Sequence, residues 1–265
     1  MSIKIEPFKN NIGASIACDL KSIKADEVVK TKEALNNYGF VCFRNQNLDP
    51  GEYLDFAKLL GEIKDYPMLK DLEGHKGITV VERKEKDKGK SYGEGWHTDS
   101  SYLSKTPRYT CLMGKIVEKD QGQTLFASQF ASYEALDQKI KDKIKNLIGV
   151  FSSAGPISET RLERESERGT GKAKDFISEH PIVRTVKNKK ALYLSPGHTI
   201  AIKNLDEKNS KNLLKFLFNH QTKKEFQMSF SWEKNTIVIW DNYSIIHSAT
   251  PFSGRRLMHR IIIDA

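Results

Sequence analysis

The stretch WDNYSIIHSATPFSGRRLMHRIII, residues 240–263, ends one β-like run, turns at Asp241-Asn242 and enters a longer run rich in branched residues. Such runs are typical of strands, because branched and aromatic side chains pack well on a pleated surface. Comparable runs follow residue 76, at 78–81, 109–113, 182–186, 191–194, 226–232, 236–240 and 257–263. Most of the chain after residue 76 is therefore predicted to form strands.

Helix signals are fewer and lie between the predicted strands. Capping residues and apolar periodicity predict helices from Asp26 to Gly39, from Asp49 to Gly61, over 130–146 and over 206–221. Short polar turns at 187–189 and 233–235 favour antiparallel pairing of the runs beside them. The expected architecture is mostly β with peripheral helices, in the form of an antiparallel sandwich or barrel.

Composition favours a globular protein. The chain has 265 residues, 38% hydrophobic and 29% charged, with no repeat or linker at which to divide it, so residues 1–265 are predicted to form a single domain. No apolar run approaches the roughly 20 residues that cross a bilayer, and residues 1–20 lack a signal-peptide pattern, so we expect a cytoplasmic protein with no membrane partner. Three separated cysteines, Cys18, Cys42 and Cys111, are expected to be reduced.

The net charge is +9, from 43 basic and 34 acidic residues. A nucleic-acid partner would need clustered basic residues, whereas the lysines here are scattered and interleaved with Glu and Asp, as in residues 82–88. The sequence therefore predicts no nucleic-acid binding. A lysine-rich solvated surface explains the charge, and a bias toward small anionic substrates is a second reading.

The string Gly95-Trp96-His97-Thr98-Asp99 carries the first sign of chemistry. In an extended segment alternate side chains share a face, so His97 and Asp99 would point to one place. Two imidazoles and one carboxylate form the facial ligand set of non-haem Fe(II) oxygenases, so a second histidine is needed. His247 is the best-placed candidate, while surface or capping roles are expected for His180 and His220. The remaining histidines are His75, His198 and His259.

The strand that follows His247 adds two cations. With a side-chain period of two, Arg256, Met258 and Arg260 share one face of the run. Arginines on a buried-looking strand need anions. They could form salt bridges within the chain, or one guanidinium could bind the carboxylate of a cosubstrate and the other an acidic substrate.

Two segments are predicted to be mobile loops. Residues 84–95 are charged and contain glycine, and residues 159–174, ETRLERESERGTGKAK, have almost no apolar content. Each could be a solvated insertion or a lid over an active site. The sequence leaves these alternatives open.

With these motifs in place, the chain resembles the family of taurine dioxygenase and phenoxyacetate-herbicide dioxygenase, which uses Fe(II) and 2-oxoglutarate. The resemblance spans nearly the whole chain and rests on these segments: GASIACDL (13–20), YGFVCFRNQNLDPGEYLDFAKLLGEI (38–63), GEGWHTDSSYLSKTPRYTCL (93–112), QTLFASQFASYEAL (123–136), EHPIVRTVKNKKALYL (179–194), LLKFLFNHQTKKEFQMSFSW (213–232) and IWDNYSIIHSATPFSGRRLMHR (239–260). It implies a double-stranded β-helix, or jelly roll.

The resemblance also implies roles for individual residues. His97, Asp99 and His247 would hold the iron, Thr124 and Arg256 would bind 2-oxoglutarate, and Arg260 and Trp240 would lie at the substrate. O2 is the other cosubstrate, and succinate and CO2 are the products. Because Asp99 is present, halogenation is disfavoured relative to hydroxylation.

Some features of the sequence depart from the family pattern. The usual Gly-Gly-Asp-Thr is Gln121-Gly122-Gln123-Thr124, and the histidine and tyrosine that hold the sulfonate in the taurine enzyme have no clear match near residues 65–67 or His75. The expected substrate is a small organic anion, a taurine-like sulfonate or a carboxylate. Alternatives are a sulfate ester, an aryloxyalkanoate, or a jelly-roll protein that binds metal and ligand without catalysis. The sequence leaves open whether the chain forms a homo-oligomer.

Overall fold

The computed structural model describes residues 3–66, 69–118, 120–158 and 175–265. The strands of this part are β1 (Lys4–Pro7), β2 (Ala14–Ala17), β3 (Phe40–Phe43), β4 (Glu62–Lys64), β5 (Asp71–Leu72), β6 (His75–Arg83), β7 (Tyr109–Ile116), β8 (Thr124–Ser128), β9 (Ile148–Ser152), β10 (Ile177–Pro181), β11 (Val183–Val186), β12 (Lys189–Leu192), β13 (Thr199–Ile202), β14 (Gln227–Phe230), β15 (Ile237–Asp241), β16 (Ile245–Ala249) and β17 (Arg256–Asp264). The helices are α1 (Ala25–Tyr38), α2 (Pro50–Leu60), α3 (Gln129–Glu134), α4 (Gln138–Ile144) and α5 (Glu207–Gln221). The prediction of a mostly β protein with few helices is confirmed.

One large sheet organises the molecule. Its strands run in the order β1-β2-β3-β15-β7-β17-β6-β5, and β4 pairs with the end of β17. All neighbouring pairs are antiparallel except β2 and β3. Smaller sheets have the orders β14-β8-β16, β10-β9-β13 and β11-β12.

The large sheet is covered on both faces, because its central strand β15 carries buried apolar side chains on each of them. In β15, Ile237 and Ile239 point into a core shared with α1 and α2. Val238 and Trp240 point the other way, into a second core that includes Phe126 of the β14-β8-β16 sheet. The functional site described below lies on this second side, between the two sheets.

The helix predictions are confirmed at most boundaries. The α1 helix ends at Gly39, where φ is 81° and an added Cβ would lie 2.5 Å from Ile245 Cδ1. The α2 helix begins after Asp49, whose side chain accepts a hydrogen bond from the backbone N–H of Glu52. The α5 helix is capped in the same way by Asp206.

Two helix predictions need correction. The N-terminal cap of α1 is Lys24, not Asp26, because the Glu27 side chain reaches back to accept from the Lys24 backbone N–H at 2.9 Å. The segment 130–146 forms two short helices, α3 and α4, with a break at residues 135–137.

The two predicted hairpins have different outcomes. Strands β11 and β12 pair antiparallel across Lys187, which has φ of 53°, so the turn at 187–189 is confirmed as a hairpin. The turn at 233–235 was predicted to join paired strands, and this is wrong. Because β3 and β7 occupy both edges of β15, β14 pairs with β8 in the other sheet.

The three cysteines are free thiols, as predicted, and Cys42 and Cys111 are buried. Burial raises the pKa of the Cys111 thiol to about 12. No helix in the described parts of the chain is both long and apolar enough to cross a bilayer.

Candidate metal centre

The structure brings His97, Asp99 and His247 together, as the sequence predicts. One ligand atom from each lies within 4.8 Å of the others, and all three residues are buried. His247 is on β16, and His97 pairs with it through two backbone hydrogen bonds of 2.9 Å. His97 Nε2 is 3.8 Å from Asp99 Oδ1, and His247 Nε2 is 3.9 Å from Asp99 Oδ2. Backbone pairing therefore fixes the two imidazoles on either side of the carboxylate.

The protonation of this cluster suits a metal ion. The carbonyl oxygen of Gly95 can only accept, so His97 Nδ1 donates to it at 2.8 Å and leaves Nε2 free to ligate. Burial lowers the pKa of His97, and burial together with the neighbouring His97 lowers the pKa of His247 to about 3. Both imidazoles are therefore neutral at physiological pH, as metal ligands must be.

Asp99 remains ionised despite its burial. Burial alone would raise its pKa, but Arg260, with Nη2 at 2.9 Å from Oδ1, and the two histidines hold the pKa below its usual range. The Thr110 hydroxyl donates to Asp99 Oδ2 at 2.8 Å and accepts from Asn242 Nδ2 at 3.0 Å. Asn242, which follows β15, thus orients the carboxylate of Asp99 through Thr110, although Asn242 and Asp99 are distant in sequence.

A cavity opens beside the three residues, between the large sheet and the β14-β8-β16 sheet. Thr124, Trp240, Arg256 and Arg260 line it. The structure therefore groups around one cavity all seven residues singled out from the sequence.

The two arginines of β17 have different surroundings. Arg260 is 3% exposed and pairs with Asp99, which is the internal salt bridge that the sequence left open. No carboxylate in the described chain pairs with Arg256, and burial lowers its pKa to about 10. Its Nη1 donates to the carbonyl of Gly122 at 2.5 Å. A guanidinium at a cavity wall with only a neutral partner is suited to bind an anion.

Two buried tryptophans lie beside this cavity. The ring centroid of Trp240 is 4.7 Å from that of His247, and its indole nitrogen has no hydrogen-bond partner among the described residues. The indole N–H of Trp232 donates to the Thr124 hydroxyl at 2.9 Å. Sequence analysis did not identify Trp232 as a site residue.

A second, smaller chamber adjoins this cavity and shares His97 and Asp99 with it. Tyr66, Tyr92, Tyr102, Ser100, Ser153 and His198 are among its lining residues. The hydroxyl of Tyr66 is 2.8 Å from that of Tyr92 and 3.4 Å from that of Tyr102. Burial raises the pKa of Tyr92 and Tyr102 well above the usual value, so these hydroxyls stay protonated.

This chamber is not among the features predicted from the sequence. Tyr92 and Tyr102 flank the His97–Asp99 motif, which is a local signal, but Tyr66 and His198 reach the site only through the fold. The Tyr66 ring lies 4.3 Å from the Arg260 guanidinium carbon and separates that guanidinium from the chamber. Apart from His97 and Asp99 of the metal centre, the polar side chains on the chamber wall in the described part of the chain are therefore hydroxyls and the imidazole of His198.

Of the two predicted loops, the first contributes to the site. Tyr92 and Gly93 line both cavities, and the Gly93 carbonyl accepts from Ala249 N at 2.8 Å, next to β16. The second, 159–174, lies outside the described residues. Surface or capping roles were expected for His180 and His220, and the surface alternative is wrong: both are buried, and their side chains hydrogen-bond to the carbonyls of Leu103 and Ser132.

Comparison with known proteins identifies the family of the chain. Residues 4–262 match the taurine catabolism dioxygenase TauD, TfdA family. The chain belongs to this family. It is therefore a 2-oxoglutarate-dependent dioxygenase that uses Fe(II), 2-oxoglutarate and O2, and the predicted family and cofactors are confirmed.

Curated relatives and solved structures cover almost the whole chain. It is 27% identical to an alpha-ketoglutarate-dependent sulfate ester dioxygenase of Pseudomonas putida, over 99% of this chain and 90% of that protein. It is 29% identical to an alpha-ketoglutarate-dependent sulfonate dioxygenase of Saccharomyces cerevisiae, over 93% of this chain and 62% of that longer protein. A crystal structure of a putative alpha-ketoglutarate-dependent taurine dioxygenase from Burkholderia xenovorans superposes with a TM-score of 0.84 at 25% identity, covering 99% of this chain and 89% of that one.

Proposed function

We propose that this dioxygenase hydroxylates a small organic anion and that His97, Asp99 and His247 hold its Fe(II). The observation that carries this proposal is the convergence of two neutral imidazoles and one ionised carboxylate beside a guanidinium that has no carboxylate partner among the described residues. This donor set fits Fe(II), because three ligands on one side leave positions for a chelating cosubstrate and O2. When bound, iron, 2-oxoglutarate and O2 supply the oxidant that hydroxylates a C–H bond and yields succinate and CO2.

The residues of the larger cavity would hold 2-oxoglutarate. Arg256 and Thr124 bind its far carboxylate, the guanidinium as a charged donor and the hydroxyl as a neutral one. Trp240 closes the wall next to His247 and keeps bulk water from the metal. The low-dielectric surroundings that lower the pKa of Arg256 also strengthen its attraction to a carboxylate.

The smaller chamber would hold the primary substrate. Arg260 lines the larger cavity, pairs with Asp99 and lies behind the Tyr66 ring as seen from the chamber, so its charge would attract the anion of the substrate toward the metal without touching it. The hydroxyls of Tyr66, Tyr92 and Tyr102 are neutral donors that can complete the shell of an oxyanion. These groups support a sulfonate or sulfate ester, as in the named relatives, and a small carboxylate or aryloxyalkanoate remains an alternative substrate.

The proposed fold is a double-stranded β-helix, or jelly roll, formed by residues 1–265 as a single domain. Its support is the apposition of the large antiparallel sheet and the β14-β8-β16 sheet, with the cavity between them. Similarity to the solved dioxygenase structure supports the same arrangement.

The proposal is tested by loading the protein anaerobically with Fe(II) and measuring succinate formation with 2-oxoglutarate and O2. The panel contains taurine, other alkylsulfonates, sulfate esters, phenoxyacetates and small carboxylates. We expect one class of anion to stimulate succinate formation and to be consumed in equal amount.

A parallel measurement tests the cosubstrate site independently of the primary substrate. Mixing the anaerobic Fe(II) protein with 2-oxoglutarate should produce the visible absorption band of a chelated complex. If iron-replete protein shows neither this band nor any turnover, the dioxygenase assignment fails and a protein that only binds ligands is favoured. If uncharged analogues stimulate turnover as well as the anions do, the assignment of an anionic substrate fails.

A further inference from the structure

We propose that Trp232 is a positioning residue for 2-oxoglutarate, because one buried indole supports both groups that bind the far carboxylate. This inference rests on the proposed function, in which Thr124 and Arg256 are those groups. Trp232 contacts Thr124 through its N–H and lies under the Arg256 guanidinium with its ring. It is 4% exposed and does not line the cavity itself, so it acts through its two neighbours.

The hydrogen bond to Thr124 fixes the direction of the threonine hydroxyl. An indole N–H can only donate, so the Thr124 oxygen accepts this bond, which is 2.9 Å long. The hydroxyl proton then cannot point toward Trp232 and remains available to a ligand in the cavity. A carboxylate is an acceptor only, and it meets a hydroxyl that is already oriented as a donor.

The ring of Trp232 supports Arg256 without neutralising it. The guanidinium carbon lies 5.7 Å from the Trp232 ring centroid and 5.0 Å from that of Phe252. Aromatic faces attract a cation by their quadrupole and carry no net charge. Since the carbonyl of Gly122 is its other partner, Arg256 is held in place while its charge remains available to an anion.

The altered turn before Thr124 completes this arrangement. Gly122 has φ of 59°, and an added Cβ would lie 2.2 Å from Arg256 Nη1. On either side, Gln123 accepts from the Thr250 hydroxyl at 3.0 Å and Gln121 accepts from Ser253 N at 3.3 Å. The two glutamines thus hydrogen-bond this turn to the segment that precedes Arg256. Because the turn is fixed on both sides, the Gly122 carbonyl stays within hydrogen-bonding distance of the guanidinium.

Trp240 offers a matched control, because it is also buried at this cavity but has a different neighbour. Its ring packs on His247, and its N–H has no partner within the described part of the chain. Removing the N–H of Trp232 should therefore affect Thr124, whereas removing that of Trp240 should not.

The test is a double-mutant cycle on 2-oxoglutarate affinity. Trp232→Phe keeps an aromatic ring under Arg256 and removes the N–H, and Thr124→Val removes the hydroxyl. Affinity is measured by calorimetry on Zn(II)-loaded protein, which needs no turnover. We expect Trp232→Phe to weaken binding about fivefold in the wild-type background and less than twofold in Thr124→Val, because a hydrogen bond of this kind is worth about 1 kcal/mol. Trp240→Phe should show no coupling to Thr124→Val.

A second measurement uses the unmutated chain. Its three tryptophans give three indole N–H signals in ¹⁵N NMR spectra, and Trp96→Phe and Trp240→Phe assign that of Trp232 by elimination. In Zn(II)-loaded wild-type protein, we expect 2-oxoglutarate to shift the Trp232 signal, although this indole does not touch the ligand. Succinate, which has a far carboxylate but no keto acid, should shift it in the same direction with lower affinity.

The outcomes are distinguishable. Equal loss of affinity from Trp232→Phe in both backgrounds, or no loss in either, overturns the positioning role while 2-oxoglutarate binding by the wild type upholds the proposed function. If Trp232→Phe does not fold, a Trp232 signal that stays fixed on saturation with 2-oxoglutarate overturns the inference by itself. Failure of the Zn(II)-loaded wild type to bind 2-oxoglutarate overturns both proposals.

Discussion

At the scale of single residues, the assignment of His97 as a metal ligand makes a direct prediction. His97→Ala should remove one of three ligands and lower Fe(II) binding by at least about 100-fold, with turnover lost. Iron content after anaerobic loading measures this directly. His198→Ala is the control, since its ring lies 6.3 Å from that of His97 and is not a proposed ligand. Equal iron content in wild type and His97→Ala would refute the assignment.

The two arginines of β17 should differ in which ligand they affect. Arg256→Ala should raise the KM for 2-oxoglutarate by about 10- to 100-fold, because a charged hydrogen bond is lost. Arg260→Lys keeps a positive charge near Asp99 and should mainly raise the KM for the primary substrate, because the ammonium of lysine cannot lie flat against the Tyr66 ring as a guanidinium does. Steady-state kinetics with each ligand varied in turn checks this division. Identical effects on both KM values would contradict it.

Tyr66 should influence the primary substrate alone. Tyr66→Phe keeps the ring against Arg260 and removes a hydroxyl that contacts Tyr92 and Tyr102. We expect the KM of the anion identified by the panel to rise about 5- to 10-fold, with 2-oxoglutarate affinity unchanged. Initial rates and calorimetry give the two quantities. A matching loss of 2-oxoglutarate affinity would show that the chamber is not a separate substrate site.

Residue-scale prediction from sequence succeeds where geometry is local. His97 and Asp99 were found because alternation along an extended segment places them together. Arg256 and Arg260 were found because they share one face of a strand. Tyr66 and His198 could not be found in this way, since their positions depend on how separate segments fold around the metal centre. Family resemblance, and not periodicity, supplied Thr124.

At the scale of elements, Gly39 shows how a helix end depends on a strand that is distant in the chain. Gly39→Ala should destabilise the protein by about 2–3 kcal/mol, because φ is 81° and the new Cβ would meet Ile245 of β16 at 2.5 Å. Gly74→Ala is the matched control: φ is 74° and no atom lies within 4 Å of the added Cβ, so only backbone strain of about 1 kcal/mol is expected. Urea denaturation measures both. Equal losses would contradict the clash.

Element boundaries were predictable where the chain signals them itself. Asp49 with Pro50, Gly39 and Asp206 each mark a helix end by local chemistry. The pairing of β14 was not predictable from its turn, because partner choice is a competition among strands. Once β3 and β7 flank β15, β14 has no free edge there, and no local pattern contains that information.

At the scale of the whole molecule, buried histidines should make stability depend on pH. Burial, with Lys115 and His75 nearby, lowers the pKa of His259 to about 4. The unfolded chain protonates this residue near pH 6.5, so between about pH 6.5 and 4 it binds more protons than the folded chain. The contribution of His259 to the free energy of unfolding is therefore greatest above pH 6.5 and decreases as the pH falls toward 4.

His259→Gln should reduce this dependence. We expect the variant to lose about 2 kcal/mol less than wild type between pH 7 and pH 5, in urea denaturation at each pH. At pH 8, His259 is neutral in both the folded and unfolded states. Any difference in the free energy of unfolding between variant and wild type at this pH is therefore caused by packing, and it is subtracted from the differences at lower pH. Parallel pH profiles for the two proteins would refute the contribution of His259.

The composition of the chain predicted its globular nature, and the density of branched residues predicted its mostly β architecture. The number of sheets and their strand order could not be predicted, because these depend on contacts between residues far apart in the chain. Resemblance to a known family supplied the jelly roll, which stays a proposal for this chain.

The two faces of β17 restrict how this enzyme could be redesigned. One face carries Arg256, Met258 and Arg260 to the cavity, and Ile261 on the other belongs to the core beneath α1 and α2. Deleting one residue early in β17 would exchange the faces, driving guanidiniums into that core. Insertions and deletions that tune specificity are therefore tolerated in the connections around β17 but not within this strand. Within β17, specificity can be tuned only by substituting the cavity-facing residues, which occupy every second position.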